Sequence, residues 1–194
     1  MVVCEGKVTE PTYISGFTRE CRTTLVQVEI SNRHGVPRAL VETAKELMRA
    51  AKEQAHREKD DNCLYNEVWC LPDVDDHPKL DEARQMAHDN GIEFVASNPC
   101  FELWLLLHFQ DNPGMQHRDD LKRMMRKHIA GYDKHFEFRD LAPLYEDAKD
   151  RAQRMQRQAD EDGEPHRNPT TGVFRLTESI ARKNDDSGGG CGGG

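Results

Sequence analysis

The sequence predicts one α/β domain built on a mostly parallel sheet, and three observations carry that reading. Short apolar runs alternate with longer segments of helical periodicity, in the repeated order strand then helix. The 194 residues are enough for a single domain with a substantial core. Hydrophobic residues make up 36% and charged residues 32%, the balance of a polar protein whose helices are amphipathic.

Met1 to Cys4 is an apolar run ending at Glu5-Gly6, and reads as a buried strand. Thr9-Glu10-Pro11 then supplies helix-start signals: a Thr cap, an acid in the first turn and an early proline. Tyr13, Ile14 and Phe17 form the apolar face of that helix. Leu25 to Ile30 alternates and is β-branched, so it predicts a second strand. Val36 to Glu58 predicts a long helix, with Leu40, Ala44, Leu47, Met48 and Ala51 at helical spacing. Glu67 to Leu71 is the third strand and leads into Pro72-Asp73-Val74-Asp75-Asp76. Pro78 to Asn90 is a helix closed by Gly91. Phe94 to Ala96 is a fourth strand, and Ser97-Asn98-Pro99 turns into a helix from Cys100 to Phe109. The remainder predicts helices over His117 to Ile129, Leu141 to Ala159 and Thr171 to Ala181. Residues 184–194 are Ser/Gly-rich and predict a disordered tail.

The net charge of -8 argues against a nonspecific nucleic-acid binder, which is usually basic. It leaves room for a nuclease, because acidic metal ligands lower the count. The six cysteines include no C-x-x-C pair, which argues against a zinc ribbon. MVVCEG has neither a basic leader region nor an apolar one, and no apolar run approaches the ~20 residues of a membrane span. The expectation is a cytoplasmic protein with reduced thiols and no membrane partner.

In an open α/β sheet, ligands bind beyond the carboxyl ends of the strands. Acids fall at three such ends: Glu5, the pair Asp73 and Asp75, and Glu102 shortly after the fourth strand. Glu10 lies five residues beyond Glu5 and can point back to the same place. Carboxylates pressed together cannot all stay ionised without a counter-charge. Mg²⁺ or Mn²⁺ supplies one, and two such ions suit phosphodiester chemistry. Taken alone, Asp73-Val74-Asp75-Asp76 reads better as a helix-start loop with a capping Asp. Acids at three strand ends shift the balance to a metal site.

Lys134, in Gly131-Tyr132-Asp133-Lys134-His135, is a candidate for stabilising transition-state charge, set against a solvated loop lysine. Lys7 near Glu5 is a second such candidate. Lys122, Arg123, Arg126 and Lys127 form a basic helix face, either for phosphate contact or for solvation of that face. His108, Trp104, Met124, Met125 and Met155 read as core. Cys100 stands at a helix start with no His base beside it, and reads as structural.

Several segments together resemble the RloB-like proteins: Val3-Cys4-Glu5-Gly6 with Thr9-Glu10-Pro11-Thr12-Tyr13, then Asp73-Val74-Asp75-Asp76-His77, then Ser97-Asn98-Pro99-Cys100-Phe101-Glu102-Leu103-Trp104, and finally Asn168-Pro169-Thr170-Thr171. The resemblance implies a Toprim-like four-stranded mostly parallel sheet flanked by helices, with a helical C-terminal part. The catalytic core would occupy residues 1–110 and the helical part 111–183. By that resemblance Glu5, Asp73 and Asp75 bind Mg²⁺, as in the OLD-family nucleases. Glu10 is the second acid after the first Glu-Gly, Ser97 and Glu102 are a later Ser/Glu pair, and Lys134 is the downstream lysine. Asp76 is a subsidiary candidate. Two departures stand out: the chain begins inside the first strand, and Gly6-Lys7 replaces the Gly-Glu of many relatives.

The expected function is a metal-dependent nuclease acting on RNA or DNA. It would be the effector of an anti-phage or AbiL-like abortive-infection system, beside an AAA-type or ABC-type ATPase. The alternative is a non-catalytic sensor or regulatory subunit of that ATPase.

Overall fold

The computed structural model describes residues 1–22, 27–30, 37–74 and 79–188 of the chain. Strands β1 (Val2–Cys4), β2 (Val28–Ile30), β3 (Trp69–Leu71) and β4 (Glu93–Phe94) lie in one sheet in the order β2-β1-β3-β4, and each neighbouring pair is parallel. Between them run α1 (Thr9–Glu20), α2 (Pro37–Glu58) and α3 (Leu80–Asp89). The chain is therefore a mixed α/β protein.

Two faces of burial explain the composition of the central strands. Val2, Cys4, Trp69 and Leu71 enter one apolar cluster, while Val3, Cys70 and Val68 enter another with Leu40, Val41 and Ala44 of α2 and Ala83 and Ala87 of α3. A strand buried on both sides needs apolar residues at every position, so Val-Val-Cys and Trp-Cys-Leu show no polar alternation.

The first cluster is the larger. It is filled by α1, by the short helix α4 (Glu102–Leu106), by α5 (Arg118–His128) and α6 (Phe138–Leu141), by α7 (Tyr145–Glu161) and by α8 (Val173–Gly188). Tyr13 sits at its centre, edge-on to Phe101, Trp104 and Phe138 with ring centroids 5.2–5.8 Å apart. Gly16 lets α6 approach α1, since a Cβ there would lie 2.4 Å from Phe138 Cβ. These contacts fix α4 beside α1, which is what sets Glu102 near Glu10.

The structure differs from the sequence expectations at several element boundaries. Thr9 is the first residue of α1 rather than its cap, and Val8 precedes it without a side-chain cap. The fourth strand is Glu93–Phe94, shifted back from Phe94 to Ala96. The chain then forms β5 (Ser97–Asn98), which pairs antiparallel with β6 (Thr170–Thr171). Thr170 and Thr171 thus leave the expected C-terminal helix, and α8 begins at Val173. Residues 184–188, expected as the start of a disordered tail, are helical. The segment around residue 141 is α6, a 3₁₀ turn over Ala142–Leu144 and then α7, rather than one helix. Leu25, Val26, Val36 and Pro78 lie outside the described residues. No described helix is long and apolar enough to cross a membrane.

His108 is a core histidine. Its Nδ1–H donates to Trp104 O at 3.0 Å, and its Nε2 accepts from Tyr13 Oη–H at 3.1 Å. Burial pushes its pKa down to about 4 from the usual 6.5. The folded state therefore binds fewer protons than the unfolded chain between these values. Stability from this group is fully present above pH 6.5 and is lost as the pH falls towards 4. The loss is about 3 kcal/mol at most. Urea unfolding at neutral and acid pH is expected to show a steeper decline for the wild type than for His108→Gln.

Candidate metal centre

Parallel pairing places Cys4 opposite Leu71, so the chain after each strand leaves the sheet at the same edge. Glu5 follows Cys4 directly, and Asp73 lies two residues beyond Leu71. The Asp73 backbone N–H donates to Glu5 Oε2 at 3.3 Å, which joins the two strand ends. Asp73 Oδ1 accepts from the Phe101 backbone N–H at 2.9 Å, tying β3 to the start of α4. Asp73 also forms a bridge to Ser97.

Glu10 projects from the first turn of α1 and is buried, as is Glu102 of α4. Gly6 N–H donates to Glu10 Oε1 at 3.1 Å. A Cβ on Gly6 would lie 2.2 Å from Glu10 Oε2, so the carboxylate packs where a side chain would be. The Tyr132 hydroxyl donates to Glu102 Oε1 at 3.5 Å. Burial raises the Glu10 pKa first, and the nearby Glu102 charge raises it further; the Gly6 N–H and Lys134 act in the other direction.

Glu5, Glu10, Asp73 and Glu102 line one cavity of about 140 Å³, with Gly6, Thr9, Phe101, Arg118 and Lys134. Among the described residues no three His, Cys, Asp or Glu side chains are drawn together as a ready metal-binding group. Each of the four acids instead accepts from a protein donor: Asp73 N–H, Gly6 N–H, Phe101 N–H and Tyr132 O–H respectively. The donor chemistry still fits a hard divalent cation. All four groups are carboxylates, and the raised Glu10 pKa reports negative charge that burial leaves poorly compensated.

A model of the RloB-like protein family matches residues 1–180. The chain belongs to the RloB-like family. No curated protein and no solved structure matches this RloB-like chain.

The other expected site residues divide by position. Lys134 of this RloB-like protein lines the cavity, in left-handed backbone with φ 66°, a conformation uncommon for a residue bearing a Cβ. Ser97 does not line it: its hydroxyl is buried against Thr171 Oγ1 at 2.8 Å. Lys7 is exposed and does not line it either. Asp75 and Asp76 lie outside the described residues. The basic face of α5 is partly satisfied locally: Lys122 pairs with Asp119 at 3.9 Å, Arg123 pairs with Asp120, and Arg126 Nε donates to Tyr132 O at 3.1 Å. Cys100 is buried, and that burial raises its thiol pKa, which opposes a nucleophilic role.

Arg118, Thr9 and Tyr132 also stand at this site, and no local sequence pattern marks them for it. Arg118 opens α5, one turn before the basic face that begins at Lys122. Its Nη2 lies 3.7 Å from Asp73 Oδ2. Tyr132 sits two residues before Lys134, and its identity alone gave no sign that the hydroxyl meets Glu102.

The Gly6 geometry makes a direct prediction. Gly6→Ala is expected to displace the Glu10 carboxylate and weaken Mn²⁺ binding by on the order of tenfold or more, with the fold intact. Calorimetric titration together with circular dichroism checks both halves of that expectation.

Proposed function

We propose that this RloB-like protein is a metal-dependent nuclease with a Toprim-like catalytic core, the effector of an anti-phage or abortive-infection system. One observation carries the reading: Glu5, Glu10, Asp73 and Glu102 line a single cavity at the carboxyl edge of a parallel sheet, with Lys134 beside them. Asp75, two residues further along the chain, is a further ligand by the family resemblance.

When bound there, Mg²⁺ or Mn²⁺ would activate water and neutralise developing charge on a phosphodiester. Glu5, Glu10, Asp73 and Glu102 would hold it. Burial and the Glu102 charge raise the Glu10 pKa, which favours Glu10 among the four acids for proton transfer. Tyr132 orients Glu102 through its hydroxyl, and Gly6 gives Glu10 both a backbone donor and room. Lys134 supplies positive charge for the substrate phosphate.

One observation favours the alternative, a non-catalytic sensor or regulator of a partner ATPase: the described acids are not drawn together as a ready metal group. Incubation of RNA and DNA with the protein and its neighbouring ATPase, with Mn²⁺ or with EDTA, separates the two. The nuclease reading expects cleavage that EDTA abolishes. Intact nucleic acid under every condition, with defence activity retained, supports the regulator.

A further inference from the structure

The basic face of α5 is not uniform. Lys122 and Arg123 pair with acids of their own helix, Asp119 and Asp120. Arg126 instead reaches off the helix, and its Nε–H donates to the backbone carbonyl of Tyr132 at 3.1 Å. α5 ends at His128, so this bond spans the turn that brings the chain back to the acid cavity. Gly131 supplies left-handed backbone in that turn, with φ 70°, and the Tyr132 N–H donates to Ile129 O at 3.1 Å.

Tyr132 is held at two places. The residue is 2% exposed, and its hydroxyl meets Thr9 as well as Glu102, which ties the turn to the helices that carry Glu10 and Glu102. Its carbonyl is held by Arg126. An anchored ring alone leaves the next peptide unit able to rotate about ψ. A bond to the carbonyl fixes that rotation, and with it the direction in which the chain leaves. Two residues on stands Lys134, in left-handed backbone with φ 66°. A residue with a Cβ keeps that conformation only where its surroundings hold it there. Lys134 lines the cavity, close enough for its charge to act on Glu10.

We propose that Arg126 is a positioning residue: by holding the Tyr132 carbonyl it fixes the turn that aims Lys134 into the acid cavity. This rests on the metal-dependent nuclease reading, in which Lys134 supplies positive charge for the substrate phosphate. Arg126 acts through one N–H on a backbone oxygen, and its effect on the reaction passes through Lys134 rather than through its own charge.

Two substitutions separate the donor from the charge. Glutamine carries its amide nitrogen at the same place along the side chain as arginine Nε, so Arg126→Gln keeps an N–H for Tyr132 O and loses the charge. Methionine has a similar length and no donor, and all three residues are good helix formers. Cleavage of a short single-stranded RNA and of its DNA equivalent is measured with Mn²⁺ and the neighbouring ATPase. The proteins are the full-length wild type, Arg126→Gln, Arg126→Met, Lys134→Met and the double variant Arg126→Met/Lys134→Met. Arg126→Met is expected to lower kcat roughly tenfold, with KM within about twofold of the wild type. Arg126→Gln is expected to recover kcat to within about threefold of the wild type, because the donor is restored. In the Lys134→Met background, Arg126→Met is expected to lower kcat by less than about twofold more, because the residue it aims is gone. A phosphate-contacting arginine would lose as much in Arg126→Gln as in Arg126→Met, chiefly in KM, and that result overturns the proposal. A purely structural arginine would lower the melting temperature and give losses that multiply in the double variant, which overturns it too. If the wild type cuts neither nucleic acid, the nuclease reading fails and the proposal falls with it; if the wild type cuts and Arg126→Met matches it, only the role of Arg126 fails.

Discussion

Asp73→Asn is expected to abolish cleavage, by on the order of 10³-fold or more, while the protein stays folded. Asp73 stands at the end of β3, which lies between β1 and β4, and its carboxylate meets Phe101 N–H and Arg118. Asparagine keeps the size of the side chain and an oxygen for the Phe101 N–H, so the link between β3 and α4 survives. The negative charge is what disappears. Loss of nuclease activity with a melting temperature within a few degrees of wild type therefore separates chemistry from folding. Full activity in Asp73→Asn would show that the acid cavity is not the reaction site.

Glu10→Gln is expected to invert the usual order of stabilities. The Glu10 pKa is raised by burial and by Glu102, so the folded state holds its proton more tightly than the unfolded chain does. As the pH rises above the unfolded carboxylate range, ionising Glu10 weighs against the fold. Glutamine removes that cost and still offers Oε1 to Gly6 N–H. Without metal the variant is expected to melt higher, by about 1 kcal/mol or roughly 2–4 °C. Saturating Mn²⁺ reverses the order. A ligand at one hundred times its dissociation constant adds about 2.7 kcal/mol to a protein that binds it, and the variant loses most of that gain. Differential scanning calorimetry with and without Mn²⁺ checks the crossover. A variant less stable than wild type in EDTA would mean that the buried carboxylate is compensated by more than Gly6 and Lys134.

How far the sequence carried the reading depends on the range of each interaction. Val2–Cys4 and Trp69–Leu71 were legible because burial on both faces writes itself as unbroken apolar runs. Glu5, Glu10, Asp73 and Glu102 were legible as a group because strand ends share one edge of a parallel sheet. The pairing of Ser97–Asn98 with Thr170–Thr171 was not, since two-residue strands are too short to show a period and their partner is seventy-odd residues away. The same pairing withdrew Ser97 from the cavity, because its hydroxyl is satisfied by Thr171. Arg118 was hidden for a similar reason. Its place beside Asp73, 45 residues back along the chain, is a long-range contact that no local pattern encodes. His108 was legible as core from its apolar helix, but its partner Tyr13, 95 residues away, was not.

The most direct test of the nuclease reading is sequencing of RNA and DNA ends in cells expressing the intact defence system, with the wild-type protein compared with Asp73→Asn. The account predicts new ends on triggering with the wild type and none with the variant. Protection that persists in Asp73→Asn, without new ends in either strain, would contradict it.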